Sequence, residues 1–137
     1  MQITQLTQSD ALSKWPILSP MFERAMATGQ GESTLVDYMR KILSGMAQVW
    51  VVTEGDEITG AGLTEFMQYG QHRTLHVICF TGKDFEQQFS MIEPVREYAK
   101  ANGAVRLEMW GRGGWPKMMA KVDPRWKPVY TVMSMDL

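Results

Sequence analysis

Three side chains in this sequence could take a proton from a substrate: Glu65, His76 and Glu108. A carboxylate or imidazole within reach of an amine, directly or through one water, can act as a general base. Each of the three also reads as a solvated or packed strand residue with no chemistry to do. Cys79 with a histidine would make a nucleophile pattern, but a small buried thiol on a strand is commoner. His72 and His76 lack a partner at metal-ligand spacing, so no metal is expected. No Ser-His-Asp arrangement can be assembled from one sequence. The second kind of chemistry is recognition. Trp110, Arg112 and Trp115 surround a glycine-rich segment, Gly111-Arg112-Gly113-Gly114. A guanidinium between two indoles can stack on a ring, anchor a protein partner or brace its own loop. The glycines lack the spacing of a nucleotide-binding fingerprint, and no Lys-Ser or Lys-Thr follows them.

The apolar pattern predicts the elements that hold these residues. Met1–Leu6 is a short strand. A first helix begins at Ser9 or Asp10 and is interrupted at Pro16 and again at Pro20. Met21, Phe22, Ala25 and Met26 lie on one helical face, and Thr28–Gly31 is a loop. Thr34 and Asp37 form a capping box ahead of Leu35, Met39, Ile42, Leu43 and Met46 at helical spacing. Ala47–Thr53 is apolar and β-branched, a buried strand. Gly55-Asp56 turns the chain into Ile58–Tyr69, an antiparallel strand in which Gly60 and Gly62 mark a bulge or a close backbone approach. Gly70-Gln71 turns it again into the strand Arg73–Phe80. Phe85–Asn102 is a helix that ends at Gly103, with Phe85, Phe89, Ile92, Val95 and Ala99 near one face and Pro94 disturbing its ladder. Ala104–Trp110 is a strand, Trp115–Val122 a short helix and Pro128–Leu137 a last alternating strand. The sum is one α+β domain over residues 1–137, a mixed sheet with helices on both faces.

The order of elements from Arg73 onward resembles the acyl-CoA-binding half of the GNAT N-acetyltransferase superfamily. The resemblance implies a mixed, mostly antiparallel sheet with one parallel pair, Arg73–Phe80 beside Ala104–Trp110, splayed to admit pantetheine. In that family a glycine-rich loop opens the central helix, and its backbone N–H groups hold the CoA pyrophosphate. Counting back from Ala99 and Gly103 places this loop on Lys83-Asp84-Phe85-Glu86-Gln87-Gln88, which contains no glycine. Asp84 there also reads as an N-cap, with Gln87 three residues on. The resemblance implies cofactor contacts at Cys79, Phe80, Gly82 and Lys83. The family often carries a tyrosine on the short helix to protonate the leaving thiolate. Met119 falls roughly at that place, and Tyr130, on the last strand, is the nearest substitute.

Composition narrows the class. The chain has 137 residues, one cysteine, twelve methionines and five tryptophans, with a formal net charge of −1. One domain of this length can bury a real core. A net charge near zero gives no broad field for nucleic acid or an anionic membrane. No apolar stretch is long enough to span a bilayer, and the N-terminus lacks the pattern of a signal peptide. A single thiol forms no internal disulfide and fits a reducing, cytoplasmic compartment. Two functions follow. The first is a binding or virion-assembly type of module on a GNAT-like fold, with a protein partner and acyl-CoA catalysis lost. Small proteins of this look occur in tailed phages, which makes host cytoplasm or virion its place. The second is an acetyl-CoA-dependent N-acetyltransferase acting on an amine.

Overall fold

The computed structural model describes residues 1–111 and 113–137, every residue except Arg112. Eleven elements run in the order β1 (Gln2–Leu6), α1 (Gln8–Ser13), α2 (Trp15–Met26), α3 (Leu35–Leu43), β2 (Ala47–Glu54), β3 (Glu57–Gln68), β4 (Arg73–Gly82), α4 (Phe85–Phe89), α5 (Glu93–Ala101), β5 (Arg106–Met109) and α6 (Trp115–Val122). The five strands form one sheet in the order β1-β2-β3-β4-β5. The first three pairings are antiparallel. The fourth, β4 with β5, is parallel, as a helical crossover between adjacent strands requires.

Local chemistry sets the helix boundaries. Thr7 caps α1, its hydroxyl accepting from the Asp10 amide at 3.1 Å, so the cap lies ahead of the expected Ser9 or Asp10. Pro16 sits in the first turn of α2, where a missing N–H costs nothing, and a new helix starts there. Pro20 lies inside α2 without ending it. The capping box of α3 is formed: the Asp37 amide donates to Thr34 Oγ1 and the Thr34 amide to Asp37 Oδ2, at 3.2 and 2.8 Å.

Two expectations need correction, and the bulge expected near Gly60 is found. Phe85–Asn102 is two helices, because Pro94 does more than disturb a ladder. It has no N–H to return to Ser90, and its ring crowds that turn, so α4 stops at Phe89 and Pro94 opens α5. The extra residue of the bulge is Thr59, next to Gly60, where Val52 pairs Gly60 and Thr53 pairs Ile58. Pro128–Leu137 is not a strand. It has no regular structure, and Tyr130, Val132, Met133 and Met135 are 77, 76, 89 and 84 % exposed. Alternation gives a segment the means to pair, but a strand exists only against an edge.

The sheet separates two cores. Leu18, Phe22, Tyr38 and Ile42 from the α1–α3 side pack on Val49, Val51, Ala61 and Leu63. Phe89, Ile92, Val95, Ala99 and Met119 from the α4–α6 side pack on Trp50, Val52, Leu75 and Val77. Strand alternation directs Val49 and Val51 to one side and Trp50 and Val52 to the other. No helix among the described residues is long and apolar enough to cross a membrane. Phe89 is 1 % exposed and lies at the centre of the second core. Phe89→Ala should cost about 3–5 kcal/mol in urea unfolding, and a loss below about 1 kcal/mol would mean that the ring is not buried as described.

Candidate functional site

β4 is where the two faces acquire different characters. It pairs with β3 as far as Gly82, but with β5 only from Thr74 to Val77. At that limit Ile78 is the extra residue of a bulge, since Thr64 pairs Val77 and Leu63 pairs Cys79. Beyond it the residues Ile78–Gly82 have no β5 partner, and the parallel pair opens into a cleft.

Below the opening, the three candidate bases stand in one row. Glu65 pairs His76 across β3–β4, and His76 pairs Glu108 across β4–β5. Strand alternation puts them on the α1–α3 side of the sheet. Lys41 of α3 reaches both carboxylate oxygens of Glu65, at 2.9 and 2.8 Å. His76 and Glu108 are each 7 % exposed. His76 Nδ1 lies 3.7 Å from Glu108 Oε1, beyond a hydrogen bond, and has no other partner. The same Glu108 oxygen accepts the Tyr69 hydroxyl at 2.9 Å. That bond holds Tyr69 protonated above its usual range, and the nearby Tyr130 phenol adds to the effect. Burial lowers the basicity of His76, while the charges of Glu108 and Glu65 oppose this and Lys41 reinforces it. The imidazole is therefore neutral at pH 7, able to take a proton from a group presented to it. Trp110 restricts that access. Its ring lies 4.9 Å from that of His76, nearly edge-on, and the residue is 63 % exposed.

Lys41 and Tyr69 are members of this row that the sequence reading missed. Lys41 left no signal, since a helical lysine is ordinarily solvated. Tyr69 had a weak one: it follows the last residue of β3, beside the Gly70-Gln71 turn, where an aromatic can fold back over the next strand.

Above the opening, aromatic rings fill the cleft. Phe80 of β4 meets Phe85 and Phe89 of α4 at centroid distances of 5.7 and 5.3 Å, and the latter two stack on each other at 5.3 Å. Trp115 of α6 closes on Phe85 at 5.4 Å, and Trp126 on Phe89 at 5.7 Å. Between the sheet and these helices, a void of about 10 Å³ bordered by Ile3, Trp50, Gly62, Phe80, Phe89 and Val95 has room for one water at most. Gln88 is 1 % exposed and donates to Thr59 Oγ1 and Thr59 O at 3.1 and 3.3 Å. Its amide oxygen is buried without a partner against Gly60 and Gly82, where any Cβ would collide with it. Asp84 caps α4 by accepting from the Gln87 amide at 3.4 Å, and Lys83 pairs with Glu57 at 3.3 Å.

The remaining expected site residues are scattered. Trp110 and Trp115 lie on opposite sides of the sheet, and Arg112 between them is outside the described residues. Gly111 is needed where it stands, because a Cβ there would come within 2.8 Å of the Trp115 side chain. Cys79 faces the α1–α3 core, and burial pushes its thiol up to about 12, so it is no nucleophile at neutral pH. Tyr130 is on the exposed C-terminal segment and not on a strand.

No family model matches this sequence. No curated protein matches it either. Solved structures do match its fold. A probable acetyltransferase superposes with a TM-score of 0.73 at 12 % identity, covering 100 % of this chain and 98 % of its own. An aminoglycoside acetyltransferase from an uncultured soil metagenomic sample, solved in complex with sisomicin, gives 0.71 at 14 % identity, covering 99 and 95 %. Glucosamine-6-phosphate N-acetyltransferase from Arabidopsis thaliana gives 0.62 at 13 % identity, covering 98 % of both chains. The fold is thus GNAT-like, that of GNAT-type acetyltransferases.

The buried neutral imidazole has a consequence for stability. A histidine whose folded pKa lies below its unfolded value, about 6.5, binds a proton more readily once unfolded. Its contribution is present above that pH and is lost as pH falls through the window between the two values. Unfolding midpoints in urea should therefore fall from pH 7.5 to pH 5.5, and more steeply than in His76→Gln. Parallel pH profiles for the two proteins would show that His76 is not held neutral.

Proposed function

We propose that this chain is a binding module on a GNAT-type frame, in which the acyl-CoA site has been given over to packing. One observation carries this reading: the cleft between β4 and β5 is occupied by Phe80, Phe85 and Phe89, with Trp115 and Trp126 behind them. The residues present do not fit an acyl-CoA. A pantetheine arm needs an open slot, and here Phe80, Phe85 and Phe89 pack against one another beside the free stretch of β4. A pyrophosphate needs bare backbone N–H groups. The segment that should supply them is the helical turn α4, with Glu86 exposed on it and Gln88 turned inward onto Thr59. The basic residue beside it, Lys83, is paired with Glu57.

The partner of such a module is a protein. Exposed Trp110, flanking the end of β5, is the residue type that dominates protein interfaces. Arg112, two residues on, reads from the sequence as part of the same anchor, whereas Trp115 packs on Phe85. An assembly role, in a virion or in the host cytoplasm, is the form this takes if the chain is phage-encoded. A second reading has one observation in its favour. The row Glu65–His76–Glu108 places a neutral imidazole between two carboxylates, as a base for an amine would require. That would make the chain an acetyl-CoA-dependent N-acetyltransferase.

Calorimetry with acetyl-CoA separates the two. Titration to millimolar ligand should give no binding heat. Replacing Glu86 and Gln88 by glycine should raise any residual affinity, at a cost in stability from the lost Gln88–Thr59 bonds. Stoichiometric micromolar binding to the native chain would overturn the proposal and restore the enzyme.

A further inference from the structure

Trp110 follows β5 directly, and alternation puts it on the side of the sheet that carries His76 and Glu108. Its ring centroid lies 4.9 Å from that of His76, at an interplanar angle of 61°. The indole is thus the outer layer over a closed polar cluster. It is largely exposed, while His76 and Glu108 are buried. His76 Nδ1 has no hydrogen-bond partner, and Glu108 Oε1 stands 3.7 Å from it.

A proton on this imidazole changes both contacts at once. Both ring nitrogens become donors. The gap of 3.7 Å to Glu108 Oε1 then needs to close only to the length of a charge-assisted bond, about 2.8 Å. Tyr69 already donates to that oxygen at 2.9 Å, but a carboxylate oxygen can accept a second bond. The ring, now cationic, also lies within the distance of about 6 Å over which an indole attracts a cation.

We propose that protonation of His76 draws Trp110 down onto the sheet, so that the exposed indole is a pH-controlled anchor. It is presented to a partner while His76 is neutral and withdrawn once His76 is charged. The proposal rests on the reading of Trp110 as the partner contact. Burial keeps His76 neutral at pH 7 against the pull of Glu108 and Glu65, so withdrawal belongs to acid conditions, below the ordinary histidine value of about 6.5. The surrounding groups leave His76 as the sensor. Lys41 of α3 and Glu65 of β3 already satisfy each other at 2.8 Å. Burial pushes Tyr38 of α3 and Cys79 of β4 upward, away from the acid range. Arg106 of β5 acts on Tyr69. His72, the other histidine, lies against the Tyr69 ring at 5.2 Å.

NMR of the full chain, labelled with nitrogen-15, tests the proposal from about pH 8 to about pH 5. Trp110→Phe assigns the indole N–H, and His72→Gln separates the two histidine Cε1–H signals. The Trp110 indole N–H should shift with the midpoint of His76. Its relaxation by a soluble paramagnetic agent should fall at least about twofold as His76 charges and the ring is drawn in. In Glu108→Gln both midpoints should move down together, by about one pH unit, because the imidazolium loses its counter-charge. In His76→Gln the indole signal should stay flat over the range. An indole that ignores the His76 midpoint, grows more accessible in acid, or titrates equally in His76→Gln would overturn the proposal. So would acid unfolding before His76 titrates, since the switch has to act in the folded chain. Failure of the binding-module reading is seen separately: micromolar binding of acetyl-CoA removes the partner role and leaves the indole titration to be judged on its own.

Discussion

Four residue pairs, Thr74–Val77 against Arg106–Met109, hold β5 to the sheet, and the rest of the molecule is arranged around that short parallel ladder. Where it exists, it aligns His76 with Glu108 and so completes the polar row begun at Glu65. Where it stops, β4 continues with β3 alone, and the space on its other side must be filled by something. On its far side it leaves β5 with no partner. A polar row, an aromatic cluster and an open edge all follow from one parallel contact and its early end.

The filling of the cleft is a matter of side-chain volume and polarity. Stacked and edge-on aromatic pairs add about 0.5–1.5 kcal/mol each beyond the area that they bury. Three such contacts join Phe80, Phe85 and Phe89, and tilted contacts to Trp115 and Trp126 extend the cluster. Against this stands the buried, unpartnered oxygen of Gln88, a group that costs about 1–3 kcal/mol when left without a donor. Its amide nitrogen is tied to Thr59, which sits at the bulge, so the two irregularities of β3 and α4 are joined. A GNAT-like frame is therefore compatible with aromatic packing beside the free stretch of β4.

Much of this was legible in the residues. The capping box at Thr34, the Asp84 cap and the β2–β3–β4 meander each rest on local chemistry: a side chain bonding to its own turn, or a two-residue turn between apolar runs. The parallel pair followed from the length of the crossover. The core face Phe85, Phe89, Ile92, Val95 and Ala99 survived the helix break, because Pro94 ends one helix and starts another without redirecting that face. What was not legible depends on distance in sequence. Gln88 and Thr59 are 29 residues apart, and Tyr69 and Glu108 are 39 apart, and no spacing rule links them. The last segment shows the converse failure. Its alternation was read correctly as strand-like, but pairing is a property of two segments, and only one of them is visible in a pattern.

The shortness of β5 also bears on motion. β2, β3 and β4 are joined by tight turns and share long ladders, so their contacts close small loops and form early. β5 must wait for the whole α4–α5 crossover before it can dock, and then gains four pairs. With four pairs against the long ladders of the meander, its amides should exchange sooner than those of β2–β4, through local opening. Each such opening lifts Glu108 away from His76 and Tyr69, and momentarily hydrates the imidazole. The part of the molecule with the most concentrated polar chemistry thus coincides with the part that breathes most freely.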